Sequence, residues 1–153
     1  MFRRMRREER GASAVEFALV MLPLFYLVFG IIQYGLYFYA RETGTQAVGD
    51  AVRRLSVGDC QTSGELRTLV ANRLGNATST PAANLILMQV FKKQDGTSDA
   101  APGSPGGSVQ LTVTFSSINM HFPFIPIPAN GSISSTVFNR VEDVTASTNG
   151  CTP

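Results

Sequence analysis

The chain has 153 residues, enough for one small domain, and carries 13 Lys+Arg against 11 Asp+Glu for a formal net charge of +2. With two Cys and one His it offers a poor ligand set for a metal centre. The excess positive charge lies at the N-terminal end, in MFRRMRREER, directly beside an apolar run, which argues against reading it as a nucleic-acid patch.

Residues 1–11 read as a flexible, basic cytoplasmic leader, with five arginines and two glutamates in the first ten. From Phe17 to Ala40 follow 24 residues without a formal charge, FALVMLPLFYLVFGIIQYGLYFYA. As a helix such a run extends about 36 Å at ~1.5 Å per residue, enough to cross a bilayer core of ~30 Å with some tilt. Its one strongly polar side chain is Gln33, and Tyr34, Tyr37 and Tyr39 gather at the same end, as aromatic residues do at a membrane boundary. The run far exceeds the ~7–15 apolar residues of a signal peptide, and no small-x-small cleavage site follows it. Residues 41–153 hold eight basic and eight acidic side chains, so the charge asymmetry across the span is set by the leader alone. Basic flanks remain in the cytoplasm, which directs the N-terminus inward and everything after about Arg41 outward.

The head of this helix carries a resemblance. Basic residues, then Gly11, four small or apolar residues, then Glu16-Phe17 and a long apolar run resemble a type IV prepilin-like N-terminus. The longer string GASAVEFALVMLPLFYLVFGIIQYGLYFYAR resembles the TadE-like family of tight-adherence (Flp-type) pilus assembly proteins. Its most specific parts are Gly11, Glu16-Phe17, Pro23, Gly30 and Tyr39-Ala40-Arg41. The resemblance implies a small single-span protein of the bacterial inner membrane and a pseudopilin-like role in pilus assembly or a related secretion system. It also implies cutting by a prepilin peptidase between Gly11 and Ala12, with Glu16 as the fifth residue of the mature chain. The partners it implies are the membrane and other pilin-like or machinery subunits, with no cofactor and no small-molecule substrate. An unprocessed single-pass scaffold of the same machinery is the alternative.

Physical chemistry gives Glu16 two readings. A carboxylate at the edge of hydrocarbon costs on the order of 2–3 kcal/mol unless paired, and the Ala12 ammonium of a neighbouring subunit would pair it. Alternatively the side chain rests in the headgroup layer, one residue outside the apolar run. Pro23 removes a backbone hydrogen bond to Leu19, and Ala14 and Ala18 form a small-xxx-small pair that admits a second helix. Together with Gly30 they suit a helix that packs on other helices, although a lipid-facing anchor tolerates the same residues.

Helical spacing continues beyond the span through Ala47, Val48, Ala51, Val52 and Leu55, predicting one long helix from about Ser13 to Ser56 that Gly58-Asp59 ends. Thr62-x-x-Glu65 has the form of a capping box, followed by Leu66, Leu69, Val70 and Leu74 at helical spacing and by a stop at Gly75-Asn76. The period then changes to that of strands, at residues 85–91, 109–115 and 133–141. The expected fold is therefore α+β. A transmembrane and extended helix over residues 12–57, with its span at about 17–40, carries an exported domain over residues 58–153. That domain has a second helix and a three- to four-stranded antiparallel sheet.

Between the last two strands lies MHFPFIPIPANG, Met120 to Gly131, whose prolines forbid a regular central strand. Its apolar side chains suit a partner protein, the outer membrane leaflet, or a cap over the small core. Cys60 and Cys151 both fall on the exported, oxidising side, where a disulfide between them would stabilise by roughly 4–5 kcal/mol in the chain-entropy model. No nucleophile motif, phosphate loop or metal-binding helix accompanies His121, so no catalytic residue and no enzyme activity is expected. An anchored hydrolase or sugar-binding module would need a polar pocket, for which the sequence offers no candidate.

Overall fold

The computed structural model describes residues 2–59, 62–101 and 103–142, with side chains from Gly11 onward. Helix α1 (Phe2–Ser56) runs unbroken for 55 residues, through Pro23. It begins well before the predicted start near Ser13 and takes the leader into the same helix. Arg, Met and Glu are all good helix formers, and no proline stands between Phe2 and the span, so nothing local halts the helix there.

Helix α2 (Ser63–Leu74) starts at an N-cap Thr62, whose hydroxyl accepts from the backbone N–H of Glu65 at 3.4 Å. That bond satisfies one of the orphan donors of the first turn, as the sequence pattern anticipates. Gly75 closes the helix, and its N–H donates to the carbonyl of Ala71. Arg67 then ties α2 to the following turn, its Nη1 donating to the carbonyls of Leu85 at 2.7 Å and Ala83 at 3.0 Å.

Four strands follow: β1 (Ile86–Lys92), β2 (Ser98–Asp99), β3 (Ser108–Ser116) and β4 (Ser132–Arg140). They form one antiparallel sheet in the order β2-β1-β3-β4. Met88, Thr112 and Thr136 stand opposite one another across β1, β3 and β4, so alternate residues of all three strands share a face. On the inner face Val109, Leu111, Val113 and Phe115 of β3 are buried. They belong to one core with Ala47, Val48, Ala51, Val52 and Leu55 of α1 and Leu66, Leu69, Val70 and Leu74 of α2. Each such Leu or Val removed from water is worth roughly 1.5–3 kcal/mol, which makes this two-layer contact the chief stabilising element. The Arg73–Asp50 ion pair between α2 and α1, at 3.5 Å with both side chains about half exposed, adds ~0–1 kcal/mol at most.

The far end of α1 is fastened to the end of β4. Asn139 Nδ2 donates to Ser56 Oγ at 3.1 Å, and the backbone N–H of Glu142 donates to the Ser56 carbonyl at 2.9 Å. The domain is thereby built around the upper half of α1, leaving the lower half to project from it.

Candidate assembly and anchoring surface

From Gly11 to Val20 every residue of the helix is exposed, Phe17 at 64% and Leu19 at 67%, and most of the residues up to Ile32 are exposed too. Among the described residues α1 holds the one candidate membrane span by length and composition. An apolar surface of this extent is stable only against lipid or other apolar helices.

The predicted packing residues lie on two sides of this rod. At ~100° per residue, Glu16, Pro23 and Gly30 fall within about 40° of one another, while Ala14 and Ala18 lie on the opposite side. Both sets face outward, so a second helix would meet either the Glu16 strip or the Ala14–Ala18 pair. Among the described residues Glu16 has no ion-pair partner. A Cβ at Gly11 or Gly30 would meet nothing within 4 Å, as at Gly35, so the chain's own packing does not require glycine at these sites. Cys60 and Cys151 lie outside the described residues.

The first buried residue of the helix is Gln33, seven residues before the end of the predicted span, and Ala40 on the same stretch is fully buried, while Phe38 and Tyr39 stay exposed. Gln33 is itself only 1% exposed. Its Nε2 donates to the carbonyl of Ile118 at 3.0 Å, and its Oε1 accepts from the backbone N–H of Met120 at 3.1 Å. One primary amide thus satisfies an acceptor and a donor of the same loop, and the loop satisfies the one amide in the run. In the sequence Gln33 stands as an isolated polar residue, and no local pattern pairs it with residues 85 and 87 positions away.

Below that anchor the β3–β4 loop descends along α1. Phe122 stacks on Phe29 with ring centroids 4.7 Å apart, and Phe124 meets Tyr26 edge-on at 6.3 Å. A groove of about 340 Å³ lies between them, walled by Leu22, Phe25 and Phe29 on the helix and Phe122, Pro123 and Ile125 on the loop. Of the destinations open to Met120–Gly131 on sequence alone, the core cap is not the one taken by its tip, since Phe124 stays 87% exposed. His121 is an exposed loop residue whose backbone N–H donates to Asn119 Oδ1 at 2.7 Å.

A small α+β domain carried on the end of one exposed apolar helix is the form of a single-anchor membrane protein. The comparisons with known proteins narrow this further: residues 11–53 match the family model described as TadE-like protein. No curated protein and no solved structure matches the chain. The family match begins at Gly11 and ends three residues before α1 does, so it lies wholly within the helix. It agrees with the resemblance drawn from the residues at the helix head.

Proposed function

We propose that the protein is a minor pseudopilin-like component of a tight-adherence pilus or related secretion system. It is anchored in the bacterial inner membrane with its N-terminus cytoplasmic and its α+β domain periplasmic. The observation that carries this reading is Glu16, an acid with no ion-pair partner among the described residues, at the head of an exposed apolar helix and within the TadE-like stretch. Cleavage between Gly11 and Ala12 generates an ammonium four residues before that acid. Between neighbouring subunits the two charges would pair, relieving a cost on the order of 2–3 kcal/mol for a carboxylate at the membrane edge. Gly11, which has open space around it, leaves the peptidase an unobstructed position before the cut. The role is structural, and no step of it calls for catalysis or a cofactor.

One observation favours the alternative, an unprocessed scaffold. α1 is helical across Gly11–Ala12, so a peptidase would first have to unwind that turn. N-terminal sequencing of the native protein decides between the two: a chain starting at Ala12 supports processing, and one retaining the leader supports the scaffold. Gly11→Leu should leave the leader attached. Glu16→Val should be processed and inserted normally, since loss of a charge eases insertion, while pilus yield falls. Normal piliation at normal membrane levels of the Glu16→Val protein would reduce Glu16 to an interfacial residue.

A further inference from the structure

We infer that the β3–β4 loop, from Met120 to Ile127, is a lipid-inserted wedge. It enters the leaflet on the domain's side of the membrane beside α1, and acyl chains occupy the groove between loop and helix. This rests on α1 spanning the membrane and assigns a further membrane contact outside the matched helix.

Depth is the first observation. Phe122 and Phe124 touch Phe29 and Tyr26, residues that lie inside the uncharged run. Along the axis Tyr26 is about 10 Å below Gln33, and Leu22 about 16 Å below it, at ~1.5 Å per residue. A leaflet's hydrocarbon is about 15 Å deep, so even a boundary drawn as low as Gln33 places the loop tip in lipid.

The second observation is composition. No Asp, Glu, Lys or Arg occurs between Asp99 and Arg140, and Phe122 to Ala129 is wholly apolar. The polar side chains Asn119, His121 and Asn130 stand at the two ends of that stretch, where a wedge would meet headgroups.

Backbone chemistry is the third. Irregular backbone is costly in hydrocarbon because its N–H groups find no acceptor there. Pro123, Pro126 and Pro128 have no N–H, while Met120, His121 and Ile125 donate to Gln33 Oε1, Asn119 Oδ1 and the Phe122 carbonyl. The N–H groups of Phe122, Phe124 and Ile127 find no acceptor among the described residues, so the loop lowers the cost of insertion without removing it. Phe124 adds a fourth sign. It adopts φ +66, a left-handed conformation strained for a bulky residue, while holding its ring outward.

The chain contains no Trp, so a single introduced indole reports its own surroundings. The full-length protein would be reconstituted alone in vesicles with lipids brominated on the acyl chains, as Phe124→Trp, as Phe25→Trp on the helix, and as Phe138→Trp on the outer face of the sheet. The expected result is blue-shifted emission from Phe124→Trp, with a loss to bromolipid matching Phe25→Trp and little loss to aqueous iodide. Phe138→Trp, whose parent side chain is 78% exposed, should show the reverse. Iodide quenching of Phe124→Trp together with bromolipid quenching of Phe25→Trp would overturn the wedge and leave the anchor intact, pointing to a protein partner for the loop. Failure of bromolipid to quench Phe25→Trp would overturn both.

Discussion

Gly44 of α1 and Phe115 of β3 are matched surfaces, because a Cβ at residue 44 would overlap the Phe115 ring. Phe115 is 2% exposed and has no free side on which to retreat. Glycine in a helix interior ordinarily costs up to ~1 kcal/mol relative to alanine. At this position the missing side chain lets an aromatic ring lie directly on the helix backbone, and the sheet can close on α1.

The same substitution should therefore have opposite signs at two positions of one helix. Gly44→Ala is expected to destabilise by about 1–3 kcal/mol through overpacking, despite its gain in helix propensity. Gly49→Ala, where a Cβ would meet nothing within 4 Å, should stabilise by up to ~1 kcal/mol. Thermal unfolding of the detergent-solubilised full chain measures both. Shifts of the same sign would refute the account of Gly44.

Orientation follows from the charges flanking the span, with five arginines among the first ten residues. A reporter active only in the periplasm, fused after Pro153, is expected to work, and a cytoplasm-only reporter at that position to stay silent. The opposite pattern would reverse the topology.

Cys60 and Cys151 would both be exported in that orientation and are expected to pair. Mass spectrometry of the intact, unreduced protein should find two hydrogens fewer than the reduced chain has. Two thiols open to alkylation would rule the bond out.

Acid should loosen the β1–β2 turn only at low pH. Asp95 Oδ1 accepts from Thr97 Oγ1 at 2.6 Å and from the Thr97 N–H at 2.9 Å, and these bonds hold its carboxyl below the ordinary value of 3.8. Asp99 is lowered too, chiefly by the Ser104 hydroxyl at 2.6 Å. A folded pKa below the unfolded one gives stability that is present above the unfolded value and is lost as pH falls through the folded one. The Thr97 amide resonance should hold steady from neutrality to about pH 5 and move only in stronger acid, with a midpoint below that of a free carboxylate. A midpoint at or above 3.8 would contradict the bonding described for Asp95. Asp95→Asn should abolish the transition.

Where the chain has a period, the sequence alone was sufficient. The apolar stripe Ala47, Val48, Ala51, Val52 and Leu55 and the set Leu66, Leu69, Val70 and Leu74 are all buried in the core. Alternation along β3 likewise placed Val109, Leu111, Val113 and Phe115 inside, and Thr62 caps α2 through the predicted hydroxyl. Such features are local: side-chain direction repeats every 2 or about 3.6 residues whatever the rest of the fold does. The two-residue strand β2 was beyond reach because it is too short to show a period at all.

What only the tertiary structure decided was the meeting of residues distant in sequence. The proline-rich loop has no period, and its residues alone left three destinations open. Its course is settled by Gln33, whose amide can be buried in an apolar run only if a donor and an acceptor are brought to it. Ile118 and Met120 supply both, and from that point the stacking of Phe122 on Phe29 carries the loop down the helix. Likewise Gly44 reads in sequence as a weak point in a helix, until β3 places Phe115 against it. In both cases the residue's meaning lies in a partner on another element, which the chain supplies only by folding.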